Sequence, residues 1–194
     1  MRRRLAPAER KQELLTFGRA FFADHPVDAG SMDELAAGAG VSKGLIYKYF
    51  GCRRGFYVAT VEAIAREVSA LTEPREDGPF ELAFLEVMSR YLGWVRAHAG
   101  DYRVLVQGGL GVDPEVSTIL ARLRRELATR ILSRLGVVPD SKTNLATYGW
   151  VCFAEHACLD WLDRDDVTEG DMLGVLTGAL QGALRGAGME ASGA

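Results

Sequence analysis

Residues 31–50, SMDELAAGAGVSKGLIYKYF, predict two short helices joined by a tight glycine turn. Ser31 is suited to cap the first helix, because Glu34 follows three residues later and completes a capping box. Gly38 and Gly40 flank the end of that helix, where glycine adopts a positive φ at little cost. The order of these signals predicts helix, turn and helix within this one stretch.

The second helix begins at Ser42 and has two chemically different sides. Its inward side is apolar, whereas its outward side offers cations for phosphate and phenols that can hydrogen-bond or lie against base methyls and sugars. Leu45, Ile46 and Phe50 face inward, and Lys43, Tyr47, Lys48 and Tyr49 face largely outward. Two helices of this size joined by a glycine turn are typical of a DNA-binding helix-turn-helix, although an ordinary helical hairpin gives the same pattern.

The run GVSKGLIYKYF at 40–50, followed by Arg53, resembles the DNA-binding domain of TetR/AcrR-type transcriptional repressors. The resemblance covers residues 10–60 well and the rest of the chain only in length and helical texture. Arg53 stands where the family usually has a lysine and keeps its charge. Three positions depart from the family pattern: Gly51, Pro26 and Gly30 replace the usual proline, glycine and threonine. Gly51 and Gly55 are expected to make the start of the fourth helix less rigid.

The resemblance implies repression relieved by a small-molecule effector, and no residue excludes activation. Because half-site symmetry mirrors protein symmetry, a two-fold dimer is expected to bind a palindromic operator in double-stranded DNA. Base contacts are predicted for Lys43, Tyr47 and Tyr49, and phosphate contacts for Ser31, Ser42, Lys48 and Arg53, with Gly44 on the same surface.

The charge of the chain is unevenly distributed. Residues 1–66 carry 11 Lys/Arg against 7 Asp/Glu, whereas residues 67–194 carry 12 against 19, so that the formal net charge is −3. A basic N-terminal part on an acidic body suits a protein that docks on DNA by one end, although chance can produce such a difference. Three widely spaced cysteines do not form a disulfide framework, which favours a cytoplasmic location. No apolar run approaches the ~20 residues of a membrane span.

Helical periodicity continues along nearly the whole chain and predicts an all-α protein. An N-terminal three-helix helix-turn-helix domain is predicted at 1–52, a connecting helix and linker at 53–79, a larger helical effector-binding and dimerisation bundle at 80–188, and a disordered tail at 189–194. The fourth helix is predicted at 53–71, and later helices at 80–98, 102–110, 114–135, 142–163 and 168–186.

Aromatic residues are concentrated in the second domain and predict a ligand cavity, because small-molecule sites are mostly apolar with few polar anchors. The predicted ligand-binding residues are Phe84, Met88, Tyr91, Trp94, His98, Tyr102, Trp150, Phe153 and His156. Each of these is equally compatible with plain core packing. The arginines between positions 122 and 134 are compatible with either a solvated face or an anion site.

Four glycines recur every fourth residue in the last helix and predict a subunit interface. Each interior glycine costs about 0.8–1.0 kcal/mol of helix propensity relative to alanine, which suits a surface where another backbone approaches closely. The preceding helix is apolar all round at 149–154, so both helices are expected to pack against their copies in a homodimer. The predicted interface residues are Val151, Ala154, Cys158, Gly174, Gly178 and Gly182. Sequence bias in a fraying helix is the alternative.

Catalysis, metal binding and a cofactor are not predicted. Three histidines, no nucleophile elbow and no HExxH motif leave little basis for a small helical hydrolase using His98 or His156. Cys152 and Cys158 are six residues apart and point to different sides of a helix, which makes them poor zinc ligands. Cys52 lies beside Arg53 and Arg54 and carries a separate hypothesis of a redox-sensitive thiol.

Overall fold

The computed structural model describes residues 6–25, 31–74, 78–107 and 113–189. In these ranges the chain is all-α, as predicted, with no strand among the described residues. The helices are α1 Pro7–Asp24, α2 Met32–Gly38, α3 Lys43–Phe50, α4 Arg53–Leu71, α5 Phe80–Ala97, α6 Ala99–Gln107, α7 Pro114–Arg134, α8 Ser141–Trp161 and α9 Glu169–Gly186. Pro26, Gly30 and, from residue 190 on, the predicted tail lie outside the described residues.

The local signals in 31–50 have the predicted structural effect. The Glu34 backbone N–H donates to Ser31 Oγ at 3.2 Å, and the Ser31 N–H donates to the Glu34 carboxylate at 2.9 Å, which completes the capping box. Gly40 adopts a φ of 62° in the turn. Ser42 caps α3 by accepting a hydrogen bond from the Leu45 N–H at 3.3 Å. Local hydrogen bonds therefore fix where α2 and α3 begin.

Helix α6 begins three residues earlier than predicted, at Ala99 instead of 102. The predicted helix left residues 99–101 out, including Gly100. In the structure, a Cβ added to Gly100 would lie 3.0 Å from the Ala23 side chain, so the glycine permits close packing against α1. Here glycine indicates packing and not the end of a helix.

The chain forms two compact units: residues 1–66 with 100–119, and residues 67–99 with 120–194. This division differs from the predicted boundaries, because α6 and the start of α7 belong to the N-terminal unit. The core of this first unit is aromatic, with the Phe22 ring centroid 5.7 Å from that of Phe56 and 5.1 Å from that of Tyr57. Arg54 on α4 pairs with Asp113 at the start of α7, with 2.6 Å between Nε and Oδ2.

The second unit is organised around the antiparallel pair α8 and α9. The Trp150 indole N–H donates to the Leu176 carbonyl at 2.9 Å, and the Trp161 indole N–H donates to the Val167 carbonyl at 2.8 Å. These two bonds fix the register of the pair, because they join the middle of α8 to the middle of α9 and the end of α8 to the connection between the two helices. Helix α5 packs on α9 within the same unit.

No helix in the described part of the chain is both long enough and apolar enough to cross a membrane.

Candidate nucleic-acid interface and cavity

The α3 helix is held against the first unit by its apolar side. Ile46 is fully buried, and the Phe50 ring stacks on the Phe56 ring with 4.4 Å between their centroids. On the other side, Tyr47 is 49 % exposed, and Lys43, Gly44 and Lys48 are also exposed, while Tyr49 is half-buried. The predicted sides are confirmed for Ile46, which is buried, and for Lys43, Tyr47 and Lys48, which are exposed. Leu45, Tyr49 and Phe50 are all half-buried. The exposed side presents two ammonium groups and a phenol from a rigidly anchored helix.

Lys43 forms an ion pair with Asp33 of α2, at 2.5 Å between Nζ and Oδ2. Both side chains are largely exposed, so the pair is hydrated and weak. It connects the first turn of α3 to the first turn of α2. Sequence reasoning identified Lys43 but missed this acidic partner, which lies ten residues earlier and is brought close only by the turn.

The junction between α3 and α4 depends on two glycines. Gly51 adopts a φ of 75°, a conformation that residues with a Cβ rarely adopt. A Cβ added to Gly55 would lie 2.1 Å from the Phe50 carbonyl oxygen, which is a severe clash with the last residue of α3. The Gly55 N–H also donates to Cys52 Sγ at 3.3 Å. Gly55 thus permits close packing of the two helices, a role that differs from the flexibility expected of it.

Arg53 is half-buried and lies over two rings of α1. Its guanidinium carbon is 5.3 Å from the centroid of Phe21 and 5.7 Å from that of Phe22. Cation–π contacts of this kind contribute roughly 0.5–2 kcal/mol. The residue predicted to contact phosphate therefore also attaches the start of α4 to α1. Ser31 and Ser42, the two predicted hydroxyl contacts, are exposed and use their oxygens as helix caps.

The second unit contains a cavity with about 710 Å³ of space between side chains, part of it open to solvent. Twelve of its sixteen lining residues are apolar or aromatic, and four are polar. The lining residues are Pro74, Phe80, Ala83, Phe84, Val87, Met88, Tyr91, Leu127, Ile131, Trp150, Val151 and Ala154, with Thr72, Arg130, Arg134 and Glu155. Four of the predicted ligand residues, Phe84, Met88, Tyr91 and Trp150, are therefore at the cavity.

The other predicted ligand residues lie elsewhere. The Trp94 indole N–H donates to Glu67 at 2.8 Å, and its ring stacks on exposed His98. Tyr102 is buried in the first unit, because α6 packs there. Phe153 is 44 % exposed, and His156 is exposed on the same helix, with its ring nitrogen 2.9 Å from the Cys152 carbonyl. Periodicity gave the helices but not the sides on which these residues lie.

The cavity wall also carries three charged groups that are not among the predicted ligand-binding residues. Arg130 and Arg134 lie one turn apart on α7, and Glu155 lies on α8 with 5 % of its surface exposed. Burial raises the pKa of Glu155, and the Arg124 guanidinium, which donates from Nε to Oε2 at 2.7 Å, opposes that rise. An arginine cluster was visible in α7, but the sequence alone does not show which arginines face inward.

The outer side of α8 and α9 is an exposed surface rich in glycine and apolar side chains. Gly174, Gly178 and Gly182 are exposed, and a Cβ added at any of them would meet no atom of the described chain within 4 Å. Leu145 is 74 % exposed and Val175 is 49 % exposed on the same two helices. We call the set Leu145, Phe153, Val175, Gly174, Gly178 and Gly182 the α8–α9 surface.

Three residues predicted for the dimer interface lie inside the unit instead. Val151 and Ala154 line the cavity, and Cys158 is fully buried. They occupy the inner side of α8, whereas Leu145 and Phe153 occupy its outer side, eight residues apart. A helix that is apolar all round does not indicate from its sequence which side faces the core.

No group of three or more His, Cys, Asp or Glu residues that could hold a metal ion occurs in the ranges that the structure describes.

Two family models match the chain. The model of bacterial regulatory proteins of the tetR family matches residues 14–53, which contain α2, α3 and most of α1. The model of the tetracyclin repressor-like C-terminal domain matches residues 81–177, which contain the cavity helices and the first half of α9. The two matches thus cover the helix-turn-helix and most of the second unit separately.

Comparisons with individual proteins also find transcriptional regulators. The HTH-type transcriptional activator FasR of Mycolicibacterium smegmatis is 21 % identical over 179 residues, which are 87 % of this chain and 79 % of the relative. A tetR-family transcriptional regulator from Streptomyces coelicolor superposes with a TM-score of 0.82 at 25 % identity, covering 94 % of this chain and 83 % of that one. The fatty acid degradation regulator FadR from Bacillus halodurans shares the fold, with a TM-score of 0.68, 14 % identity and coverage of 90 % and 98 %.

Proposed function

The chain belongs to the TetR family of DNA-binding transcriptional regulators, and we propose that it is a repressor that binds a palindromic operator as a homodimer. In this proposal a small hydrophobic or aromatic effector occupies the cavity of the second unit and releases the protein from DNA. The observation that carries the proposal is α3, because its buried side fixes it to the first unit while its exposed side carries DNA-compatible groups.

The exposed side of α3 supports a division of labour between its residues. Lys43 and Gly44 lie in the first turn of the helix, which is the part that reaches base edges in helix-turn-helix proteins, and Tyr47 lies one turn after Lys43 on the same exposed side. Lys48, near the C-terminal end, is suited to a phosphate oxygen. Base contacts determine which sequence is bound, and phosphate contacts contribute affinity without sequence choice. We propose these roles for this chain.

The α8–α9 surface supports the homodimer. Exposed apolar side chains beside helical glycines are stabilised when a second copy covers them, because burial of apolar area contributes about 25 cal/mol per Å². Because glycine has no Cβ, two helices can approach closely where their glycines meet. In a two-fold arrangement, two copies of α8 and α9 would form a four-helix interface, and the two α3 helices would then bind two half-sites related by the same symmetry.

Release by an effector requires that the effector bind one conformation of the dimer better than the other. Only this differential affinity can shift the equilibrium, and couplings of about 1–3 kcal/mol are typical. The α7 helix begins at Pro114 in the first unit and continues through the second, where Leu127, Arg130, Ile131 and Arg134 line the cavity. We propose that α7 carries the change, since the same helix contributes to both units. A relative named as an activator leaves the sign of regulation to be measured.

The test begins with selection of bound duplexes from random DNA at low ionic strength, followed by affinity measurements on the enriched sequence. Tyr47→Ala is expected to weaken binding by about 1–3 kcal/mol and to relax sequence choice at one position. Lys43→Ala is expected to weaken binding as well, whereas Lys142→Ala, an exposed lysine of α8, is the matched control and should bind like the wild type.

A folded protein that enriches no sequence would contradict the proposal. That outcome would favour the alternative of a helical, small-molecule-binding dimer without DNA-binding activity. Since Tyr47 and Lys43 are exposed, the variants are expected to keep the wild-type circular dichroism spectrum, which separates lost contacts from lost folding.

A further inference from the structure

We propose that the ion pair between Arg54 and Asp113 positions α3 for DNA binding without touching the DNA. This inference rests on the proposed function, since it names two further residues on which operator affinity depends. It follows from the contacts that join the first turn of α4 to α3 on one side and to the start of α7 on the other.

Arg54 and Asp113 form a two-point contact between the starts of two helices. Arg54 lies in the first turn of α4, and its Nε and Nη2 donate to the Asp113 carboxylate, at 2.6 Å to Oδ2 and 2.8 Å to Oδ1. Two parallel N–H donors fix the orientation of the two groups as well as the distance between them. The carboxylate is shielded from solvent, with 10 % of the Asp113 side chain exposed, whereas the Arg54 side chain is 52 % exposed.

Backbone hydrogen bonds hold Asp113 in place on the α7 side. Its Oδ1 accepts from the Glu115 N–H at 2.9 Å and from the Val116 N–H at 3.3 Å, so the side chain caps α7. Val116 is fully buried in the first unit, which anchors the capped turn. An asparagine at this position keeps an oxygen that can accept the same two bonds but loses the charge that pairs with Arg54. One substitution therefore separates ion pairing from capping.

The first turn of α4 is joined just as closely to α3. The Phe56 ring stacks on the Phe50 ring with 4.4 Å between their centroids, and Phe50 is the last residue of α3. At Gly55 an added Cβ would lie only 2.1 Å from the Phe50 carbonyl oxygen, so the two backbones are in direct contact. A shift of the turn that carries Arg54 must therefore displace the end of α3, and with it the exposed side of that helix.

A positioning role and a purely electrostatic role predict opposite effects for the Asp113 carboxylate. Loss of an acidic group makes the first unit more positive, and a more positive protein attracts DNA more strongly. If the carboxylate acted only through its charge, Asp113→Asn would tighten DNA binding. If the carboxylate holds the first turn of α4, and through it α3, the same substitution weakens binding. The sign of the change thus separates the two roles.

The experiment measures the affinity of the full chain for the enriched duplex by fluorescence anisotropy, between about 50 and 200 mM salt. Asp113→Asn is expected to weaken binding at least about fivefold, the lower end of the usual range for coupled sites. Glu115→Gln is the matched control, because it removes the same charge two residues away. The Glu115 side chain is 57 % exposed and lies 3.3 Å from Arg54, so its loss should not weaken binding by more than about twofold.

Arg54→Gln tests the same pair from the α4 side. Each phosphate contact contributes about 0.9 to the slope of the logarithm of affinity against the logarithm of salt concentration. Arg54→Gln is expected to weaken binding as Asp113→Asn does, but to change this slope by less than half of that amount, because Arg54 acts through Asp113 and not through phosphate. The losses should not add in the double variant Arg54→Gln/Asp113→Asn, since either substitution alone breaks the pair.

The outcomes separate this inference from the proposed function. Equal or tighter binding by Asp113→Asn, a slope reduced by about 0.9 in Arg54→Gln, or additive losses in the double variant would each overturn the inference and leave DNA binding in place. A wild type that binds no duplex would overturn the proposed function and this inference together. Urea unfolding shows which variants are fully folded in the assay buffer. If Asp113→Asn is not, the affinity and slope of Arg54→Gln decide, because Arg54 is half-exposed.

Discussion

Glycines occur at the junction of α3 and α4 and along α9, but their surroundings in the two regions are opposite. At Gly55 an added Cβ would lie 2.1 Å from the Phe50 carbonyl oxygen. At Gly174, Gly178 and Gly182 an added Cβ would meet no atom of the described chain within 4 Å. The first region needs glycine because its own backbone is close by. For α9, glycine is expected to serve a contact made by a second molecule.

The largest effect is expected from Gly55→Ala. The added methyl group must push away the last carbonyl of α3, and overpacking of this kind costs about 1–3 kcal/mol. We expect the free energy of unfolding to fall by at least that amount, and DNA affinity to fall because α3 is displaced. Urea unfolding followed by circular dichroism measures the first quantity, and fluorescence anisotropy with the enriched duplex measures the second.

Gly44→Ala is the matched control within the same motif. Its added Cβ would lie 4.0 Å from Ser42 Oγ, so alanine fits and should stabilise α3 by up to about 1 kcal/mol through helix propensity. Opposite signs for the two variants would support the distinction between required and permitted glycines. A Gly55→Ala protein as stable as the wild type would show that the α3–α4 junction relaxes easily.

The second prediction concerns α9. Gly178→Leu is expected to raise the dimer dissociation constant at least about tenfold, because a leucine side chain would separate two helices that pack closely. Sedimentation velocity across a micromolar dilution series measures the change. Gly93→Leu is the control, since Gly93 is an exposed helical glycine of α5 where an added Cβ would meet no other part of the described chain within 4 Å.

Either of two results would contradict a close approach of two α9 helices. The Gly178→Leu protein could sediment as a dimer at all concentrations, or the wild type could sediment as a monomer. The second result would leave the exposed fractions of Leu145 and Val175 without an explanation in the subunit alone.

The difference between contacts within a few residues and contacts between distant parts of the molecule also explains what the sequence could and could not predict. The cap at Ser31, the helix start at Ser42 and the positive φ of Gly40 depend on a few neighbouring residues, and the sequence predicted them correctly. Gly38, the other glycine expected to favour a positive φ, does not adopt one. Cavity residues depend on which side of a helix meets the core, and this is a property of packing. Val151 and Ala154 were therefore assigned to the wrong side of α8, because the stretch 149–154 is apolar on every side and does not indicate which side faces the core.

Ion pairs between helices show most clearly what the sequence alone does not predict. Glu155 and Arg124 are thirty-one residues apart in the chain, and no local signal pairs them. The pairing of Lys43 with Asp33 likewise requires the turn between α2 and α3 to be formed first. Local physics thus predicts helices and their ends, while pairs between helices require the fold.

One carboxylate in each unit is expected to make stability depend on pH, and the two effects have opposite signs. In the first unit, the hydrogen bond from Arg54 lowers the pKa of Asp113, against a smaller opposing effect of burial. The folded pKa is below the unfolded value of about 3.9, so this stabilisation is present above that pH and is lost as the pH falls through the folded pKa. In the second unit, burial raises the pKa of Glu155, so ionisation of this group opposes folding at higher pH.

The two variants are therefore expected to change opposite limbs of the stability curve. Asp113→Asn should flatten the loss of stability below about pH 4. Glu155→Gln should remove a gain in stability that the wild type shows as the pH falls through the folded pKa of Glu155 towards the unfolded value of about 4.3. Urea unfolding between pH 3 and pH 7 at about 0.1 M salt measures both limbs. Identical curves for Asp113→Asn and the wild type would show that Arg54 does not stabilise the first unit through this carboxylate.

The smallest effect is expected at Asp33. Like the glycines of α9, its partner Lys43 is expected to contact a second molecule, in this case DNA. Lys43 must exchange its contact with the Asp33 carboxylate for a contact with DNA. Since an exposed ion pair contributes about 0–1 kcal/mol, Asp33→Asn should tighten binding by no more than about fivefold. The gain should shrink as salt screens the carboxylate. Glu13→Gln, an exposed carboxylate of α1, is the control. If Asp33→Asn weakens binding instead, the pair positions Lys43 for DNA, and the carboxylate is part of the recognition surface.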